Sequence, residues 1–287
     1  MLGQPTTFWG KVRRTNDGAG CEWHPLFDHS ADVAAVVEAL LALPVWRRRL
    51  ARLAGQDLDE AGWARLCVLA ALHDLGKLNI GFQAKGRADL GTTAGHVTEA
   101  LGALFRNDVF SCLGALSGWG EGVTGLLVAA ICHHGRPHNQ AMADGAWQSS
   151  WWTPRGGLDP RAGAAELLDR CRTWFPKAFD TGAALPETSG FSHAFAGLVT
   201  LADWLGSDTR SFAFSQAGDA ERMPLARAAA RSAVAEMALD IALPVRRHAK
   251  GRDAFRRVAS PDYSPRPAQG AILALPQDEH GSITVLE

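Results

Sequence analysis

Apolar residues recur at a helical spacing along most of the chain, and short segments containing Pro and Gly separate these stretches. The first predicted helix begins at Asp28, a possible N-cap, and runs to about Leu43. Further helices are predicted at residues 66–75, from Gly95 onward, and at residues 123–134, 163–174, 191–205 and 224–243. Only residues 282–287 have a clear β-type pattern. The pattern therefore predicts an all-α fold.

The segment 66–77 predicts an apolar helix whose last turn carries His73 and Asp74. Both residues continue stripes of helical spacing that are otherwise apolar, and Gly76 is predicted to end the helix before Lys77. A buried carboxylate costs several kcal/mol unless something compensates it. A metal ion is the strongest compensator, and imidazole plus carboxylate is a normal ligand set. The alternative is a capping aspartate beside a hydrogen-bonded core histidine.

Five more polar residues continue core-facing stripes near the ends of other predicted helices: His29, His96, His133, His134 and Asp203. Each one alone has a structural explanation, because a lone histidine of this kind is usually structural. Seven such residues in one helical chain predict a metal centre. His24 is an alternative to His29, but it falls in a predicted entry loop. His29 is the better candidate because a helix holds a ligand more rigidly.

The composition is that of a soluble globular protein, with 47% hydrophobic and 21% charged residues among 287. The net charge of -1 gives no global basic signal for nucleic acid, so any such contact requires a local patch. The five cysteines form no C-x-x-C pair, which indicates reduced thiols of a cytoplasmic protein. Neither a signal peptide nor a membrane-spanning run is evident.

Two local segments have two interpretations each. The arginines that follow Trp46 fit either a solvated helix face or a patch that tracks phosphates; they are Arg47, Arg48, Arg49 and Arg52. Residues 139–162 form a predicted exposed insertion with Trp147, Trp151 and Trp152. These rings either pack locally, which is the commoner case, or stack on single-stranded bases.

The H…HD…H…HH…D order resembles the HD superfamily of metal-dependent phosphohydrolases. Within it, the sequence is more similar to the N-terminal nuclease domain of the CRISPR-associated nuclease–helicase of type I interference systems. The matching motifs are Trp9-Gly10-Lys11, His24-Pro25-Leu26 before His29, residues 71–77 with Phe82-Gln83, Gly95-His96, His133-His134-Gly135 and residues 201–207. They span almost the whole chain.

This resemblance implies an HD-type helical bundle at residues 1–245, followed at 246–287 by a linker and the beginning of a truncated helicase lobe. Residues 267–269 resemble the glutamine-containing lead into such a lobe, and residues 282–287 resemble the strand before its phosphate loop. The glycine-lysine phosphate loop itself is absent from this sequence. We therefore expect no ATP site in this chain, with helicase lobes normally C-terminal in the same polypeptide.

The resemblance also implies two divalent transition-metal ions. The first would be held by His29, His73, Asp74 and Asp203, and the second by Asp74, His96, His133 and His134. Asp74 would bridge the two ions, since each carboxylate oxygen can take one. Lys77 would contact the scissile phosphate, or it would be a cation favoured at a helix C-terminus. Among Fe, Ni, Co, Mn and Zn, the ligand types do not select one.

The implied activity is cleavage of single-stranded DNA in antiviral defence, together with an RNA-guided surveillance complex that opens the target. An HD phosphohydrolase of nucleotides or cyclic nucleotides is the first alternative, because it would use the same metals. A docking module that keeps a metal for stability alone is the second. A substrate panel separates these three hypotheses.

Overall fold

The computed structural model describes residues 5–15, 20–106, 109–135, 140–215, 221–237, 239 and 262–274. Two strands come first, β1 (Trp9–Arg14) and β2 (Cys21–Pro25), and helices follow. The helices are α1 (Leu26–Leu41), α2 (Pro44–Ala54), α3 (Glu60–Ala71), α4 (Ile80–Gln83), α5 (Val97–Leu104), α6 (Gly122–Ile131), α7 (Gln140–Gly145), α8 (Pro160–Trp174), α9 (Ser189–Gly206), α10 (Arg222–Glu236) and α11 (Pro267–Ala274). The predicted helical fold class is confirmed.

The core lies around α1, which packs against α3 and α9, while α6 packs against both α9 and α3. Val33, Val36 and Leu40 of α1 are fully buried, as their i, i+3, i+7 spacing predicts. Leu66 and Leu69 of α3 are also fully buried. These four helices carry or precede most of the predicted polar residues.

A two-stranded antiparallel hairpin was not predicted. Strands β1 and β2 pair with Lys11 opposite His24, and a register shift follows Trp9. The side chain of Gln83 accepts from the Trp9 N–H (3.1 Å) and donates to the Trp9 carbonyl (3.1 Å), so the hairpin is fixed to α4. The β-type run at residues 282–287 lies outside the described residues.

Helix α1 begins earlier than predicted. Pro25 occupies the N-cap position with φ −56° and ψ 141°, and Leu26 is the first helical residue. Asp28 is therefore not the N-cap but an acidic residue of the first turn. Because proline fixes φ and has no N–H to donate, it ends β2 and starts the helix at one position.

Helices α3 and α6 both end before their histidines, which corrects the prediction that Gly76 terminates the central helix. Helix α3 ends at Ala71, and Gly76 lies inside a 3-10 turn at Leu75–Leu78. The reason is local: the backbone N–H (3.1 Å) and the Nδ1–H (2.8 Å) of His73 both donate to the Ala70 carbonyl. That carbonyl is the acceptor that the next helical N–H would need.

The chain divides into two compact units, Met1–Ala233 and Val234–Glu287. In the second unit, α11 is the helix at Pro267–Ala274. The predicted boundary after residue 245 falls outside the described residues and stays a prediction.

The structure describes both segments that had two interpretations, the arginines after Trp46 and the insertion at residues 140–162. In the predicted insertion, Trp152 is buried against Phe110 (ring centroids 5.1 Å apart), so it packs locally. The arginines after Trp46 lie on α2, where the Arg47 guanidinium lies over the Trp63 ring.

Within the part of the chain that is described, no helix has the length and hydropathy required to cross a membrane.

Candidate metal centre

The seven predicted polar residues come from five places in the fold. His29 lies in the first turn of α1, and Asp203 lies in the last turn of α9. His73 and Asp74 follow α3, and His133 and His134 follow α6. His96 is the N-cap residue of α5. The structure brings all seven side chains together.

One group of atoms surrounds an oxygen of Asp74 and an oxygen of Asp203. The Nε2 atom of His29 is 3.4 Å from Asp74 Oδ2 and 3.1 Å from Asp203 Oδ1. The Nε2 atom of His73 is 3.2 Å from Asp74 Oδ2 and 3.9 Å from Asp203 Oδ1. The ligand atoms of His29, His73 and Asp203 all lie within 4.8 Å of one another, close enough for one ion.

A second group lies on the other oxygen of Asp74. His96 Nε2 is 3.5 Å from Asp74 Oδ1 and 3.2 Å from His134 Nε2. Nitrogens about 3 Å apart fit a shared ion with bonds of about 2.0–2.1 Å. The ligand-sized contacts of His133 are with the first group, because its Nε2 is 3.6 Å from Asp203 Oδ2 and it forms a cluster with His73 and Asp74, while its ring lies beside that of His134 (centroids 4.1 Å apart).

Several of these atoms are buried without a satisfactory hydrogen bond. They are Nε2 of His29, His73 and His133 and both carboxylate oxygens of Asp74. Since buried polar atoms nearly always have partners, such a cluster needs an explanation. A carbonyl can only accept, so Nδ1 of His73 and of His133 must each carry the proton donated to Ala70 or Ala130. Each Nε2 lone pair is therefore free to bind a metal ion.

Burial keeps the imidazoles of His29, His96 and His133 neutral. Burial lowers the pKa of His96 to about 3, and burial with the nearby His73 lowers the pKa of His133 to about 4. Burial and then Lys11 also lower the pKa of His29. Burial alone would raise the pKa of Asp74, but Lys77 and the surrounding imidazoles outweigh it and hold that pKa well below its usual range. A metal ion would thus meet neutral imidazoles and an ionised carboxylate, which are the forms that bind metals.

Two lysines contact the acidic residues of the centre. Lys77 Nζ lies 2.5 Å from Asp74 Oδ2 and donates to the Gly10 carbonyl (2.9 Å). It lies in the 3-10 turn and is buried, so it is not a solvated cation at the end of α3. Lys11 Nζ donates to Asp203 Oδ1 at 3.0 Å and was not among the predicted site residues. Its only signal in the sequence is its place in the Trp9-Gly10-Lys11 motif.

His24 is not one of the clustered residues, because its ring nitrogens have other hydrogen-bond partners. Its Nε2 donates to Asp32 Oδ2 (2.9 Å), and its Nδ1 accepts from the Ser215 N–H (3.3 Å). Asp32 is fully buried and also receives two hydrogen bonds from Arg222, at 2.8 and 2.9 Å. Both nitrogens of His24 are thus occupied, whereas His29 Nε2 points at Asp74 and Asp203.

Gly76 sets the distance between α5 and the turn that carries Asp74. A Cβ atom on Gly76 would lie 1.8 Å from the His96 carbonyl oxygen and 2.8 Å from Ala100 Cβ. Only a residue without a side chain allows this approach. The approach brings His96 to the Oδ1 side of Asp74.

Comparison with known proteins identifies the family. The sequence model of the family described as "Cas3, HD domain" matches residues 9–212, which include all seven residues. This chain belongs to the Cas3 HD-domain family. No curated protein matches the chain at a significant level.

Solved structures show the fold of this Cas3 HD family member. The Thermus thermophilus Cas3 HD domain in the presence of Ni²⁺ is similar, with a TM-score of 0.54 and 24% identity over 78% of this chain and 87% of that one. A crystal structure of a CRISPR-associated protein has a TM-score of 0.64 and 22% identity, covering 80% of this chain and 27% of that one. A chain of a pre-nicking CRISPR RNA-guided surveillance complex has a TM-score of 0.50 and 23% identity, covering 88% and 30%. This chain therefore spans less than a third of the two longer proteins.

Membership of the Cas3 HD family has a coarse functional consequence. The chain is an HD-type domain of the CRISPR-associated nuclease family, and its His and Asp clusters are compatible with divalent metals. The buried, unpaired ligand atoms described above agree with that chemistry.

Proposed function

We propose that this chain is a metal-dependent nuclease that cleaves single-stranded DNA during type I CRISPR interference. The observation that supports the proposal most is the convergence of seven imidazole and carboxylate side chains from five places in the fold, with atoms of His29, His73, Asp74 and His133 buried without good hydrogen bonds. A domain with only a structural metal would need four ligands rather than seven.

Two divalent ions are proposed, one held by His29, His73, Asp74 and Asp203 and the other by Asp74, His96, His133 and His134. The two oxygens of Asp74 face different histidines, which supports a bridging role for this carboxylate. When bound, such a pair of ions would supply an activated water at neutral pH and stabilise charge on both the attacking and leaving oxygens.

Hydrogen bonds within the domain fix the orientation of the proposed ligands and of Lys77. His73 and His133 are held by their Nδ1–H groups on the last turns of α3 and α6, so their Nε2 lone pairs have fixed directions. Lys77 is proposed to contact the scissile phosphate. Two of its three N–H groups are used by Asp74 and Gly10, which leaves the third for a phosphate oxygen.

The partners follow from the family. A similar chain lies in an RNA-guided surveillance complex, so we propose that this domain meets its DNA on such a complex in the cytoplasm. Helicase lobes in the same polypeptide are proposed to deliver the single strand, because residues 267–269 resemble the lead into such a lobe.

The test uses circular single-stranded DNA, duplex DNA and a panel of nucleotides and cyclic nucleotides, each with Mn²⁺ or Ni²⁺ and with EDTA. We expect cleavage of the single strand that EDTA abolishes and that Asp74→Ala lowers by at least a hundredfold. Asp208→Ala is the matched control. This carboxylate pairs with Arg210 just after the end of α9 and is not one of the seven residues of the centre.

Full activity of the Asp74→Ala protein would remove the assignment. Hydrolysis of nucleotides without cleavage of DNA would favour an HD phosphohydrolase of nucleotides. Bound metal without turnover of any phosphodiester would favour a docking module.

A further inference from the structure

Trp204 is the tryptophan that the fold exposes most. The chain has ten tryptophans, all within the described residues. Nine are buried or half-buried, whereas Trp204 is 71% exposed. A single exposed aromatic residue needs no explanation by itself. Its position in the fold is what gives this one significance.

Trp204 directly follows Asp203 in the last turn of α9. Their Cα atoms are about 3.8 Å apart, as in any trans peptide. Successive side chains of a helix point in directions about 100° apart. Asp203 therefore reaches inward to His29 (3.1 Å), while the indole of the next residue is exposed to solvent.

The face of α9 that carries Trp204 also contacts the turn that carries His133 and His134. Thr200 lies one turn earlier on that face, and its hydroxyl donates to the His133 carbonyl at 2.6 Å. His134 comes next in the chain and is the most exposed of the seven residues. Gly197, two turns before Trp204, has open space where a side chain would be. Trp204 therefore lies one helical turn from the contact between α9 and the turn that carries the exposed His134.

We infer that Trp204 is a stacking platform for a base of the DNA strand whose phosphate lies at the metal centre. This inference rests on the proposed function. An indole face is sequence-tolerant, because every base presents a π-surface. Only an unpaired base can lie on it, since the bases of a duplex already stack on each other. Trp204 would therefore contribute to the preference for single strands.

Binding measured without metal gives the first test. The dissociation constants of a labelled oligothymidylate and of an abasic strand of equal length are compared in EDTA. We expect Trp204→Ala to weaken oligothymidylate binding about 5- to 150-fold, the equivalent of about 1–3 kcal/mol for one stacked base. Abasic binding should not change, and Trp204→Phe should keep most of the affinity. Phe105→Ala is the control, because Phe105 is also exposed but lies at the far end of α5 from His96.

Kinetics with Mn²⁺ separate this inference from the proposed function. Trp204→Ala should raise KM for single-stranded DNA and leave the hydrolysis of bis(p-nitrophenyl) phosphate, which has no base, unchanged. Equal KM values in wild type and Trp204→Ala would overturn the inference alone. Loss of activity on the small phosphodiester would also overturn it, since the residue would then act through Asp203. A wild-type protein that cleaves only the small phosphodiester would overturn the proposed function as well.

Discussion

Replacing Gly76 with alanine should disturb one side of the metal centre more than the other. The added Cβ would lie 1.8 Å from the His96 carbonyl oxygen, whereas real Cβ contacts essentially never fall below 3.0 Å. The turn and the start of α5 must therefore separate by about 1.2 Å, the difference between these distances. Overpacking of this kind costs about 1–3 kcal/mol of the free energy of unfolding.

The same shift moves His96 relative to Asp74 Oδ1 and His134, which are now 3.5 and 3.2 Å from its Nε2. Metal–ligand distances tolerate only about 0.2 Å, so a displacement of this size should empty the ion site that uses His96. The site formed by His29 and Asp203 uses neither α5 nor Gly76 and should keep its ion. We expect the variant to bind about one metal ion, and the wild type to bind the two of the proposed function.

The assay is metal content by mass spectrometry after gel filtration, together with urea unfolding. Gly125→Ala is the matched control, because nothing lies within 4 Å of a Cβ at this position of α6. It should be neutral or stabilise by about 0.5–1 kcal/mol, since alanine is the better helix former. A Gly76→Ala protein with wild-type stability and metal content would show that this close approach does not position His96.

Three further predictions concern charge and metal. Because the folded pKa values of His96 (about 3) and His133 (about 4) lie below the ordinary value of 6.5, the unfolded chain binds more protons between those limits. The free energy of unfolding of the metal-free protein should fall by on the order of a few kcal/mol as pH falls from about 6.5 towards 4. A urea unfolding midpoint that does not change over this pH range would contradict this. Mn²⁺ or Ni²⁺ at about 100 times its Kd should add about 2.7 kcal/mol of stability, and scanning calorimetry with no shift in Tm would refute a built site. Lys11→Gln removes a cation that lies 3.0 Å from Asp203, so calorimetric titration should show several-fold tighter metal binding, and weaker binding would reverse the argument.

The seven polar residues could be grouped from the sequence because a helical period of 3.6 predicts a core-facing stripe for each, although α3 and α6 end before His73 and His133. The stripes predict side chains that point inward, and the order of the motifs indicates the family. The ends of the helices were predicted less well. The Nδ1–H of His73 competes with the next backbone N–H for the Ala70 carbonyl, so α3 ends there. This competition depends on the rotamer of His73, which helix propensities do not include.

The hairpin and Lys11 could not be found in the same way. Strands β1 and β2 have six and five residues, and the exposed end of β1 carries charges rather than an alternating pattern. Lysine in such a segment is typical of a solvated surface. Only the tertiary fold brings Lys11 to Asp203, which lies 192 positions later in the chain.

The hydrogen bonds of Arg222 to Asp32 determine where an autonomous nuclease fragment can be cut. The family match ends at residue 212, but a polypeptide stopped there would lack the guanidinium that neutralises a fully buried carboxylate three residues after His29. Removal of one partner from a buried ion pair costs about 3–5 kcal/mol, a large part of the stability of an ordinary domain, while the His24 hydrogen bond to Asp32 would remain. The smallest excisable unit therefore extends into α10, beyond the end of the family match at residue 212.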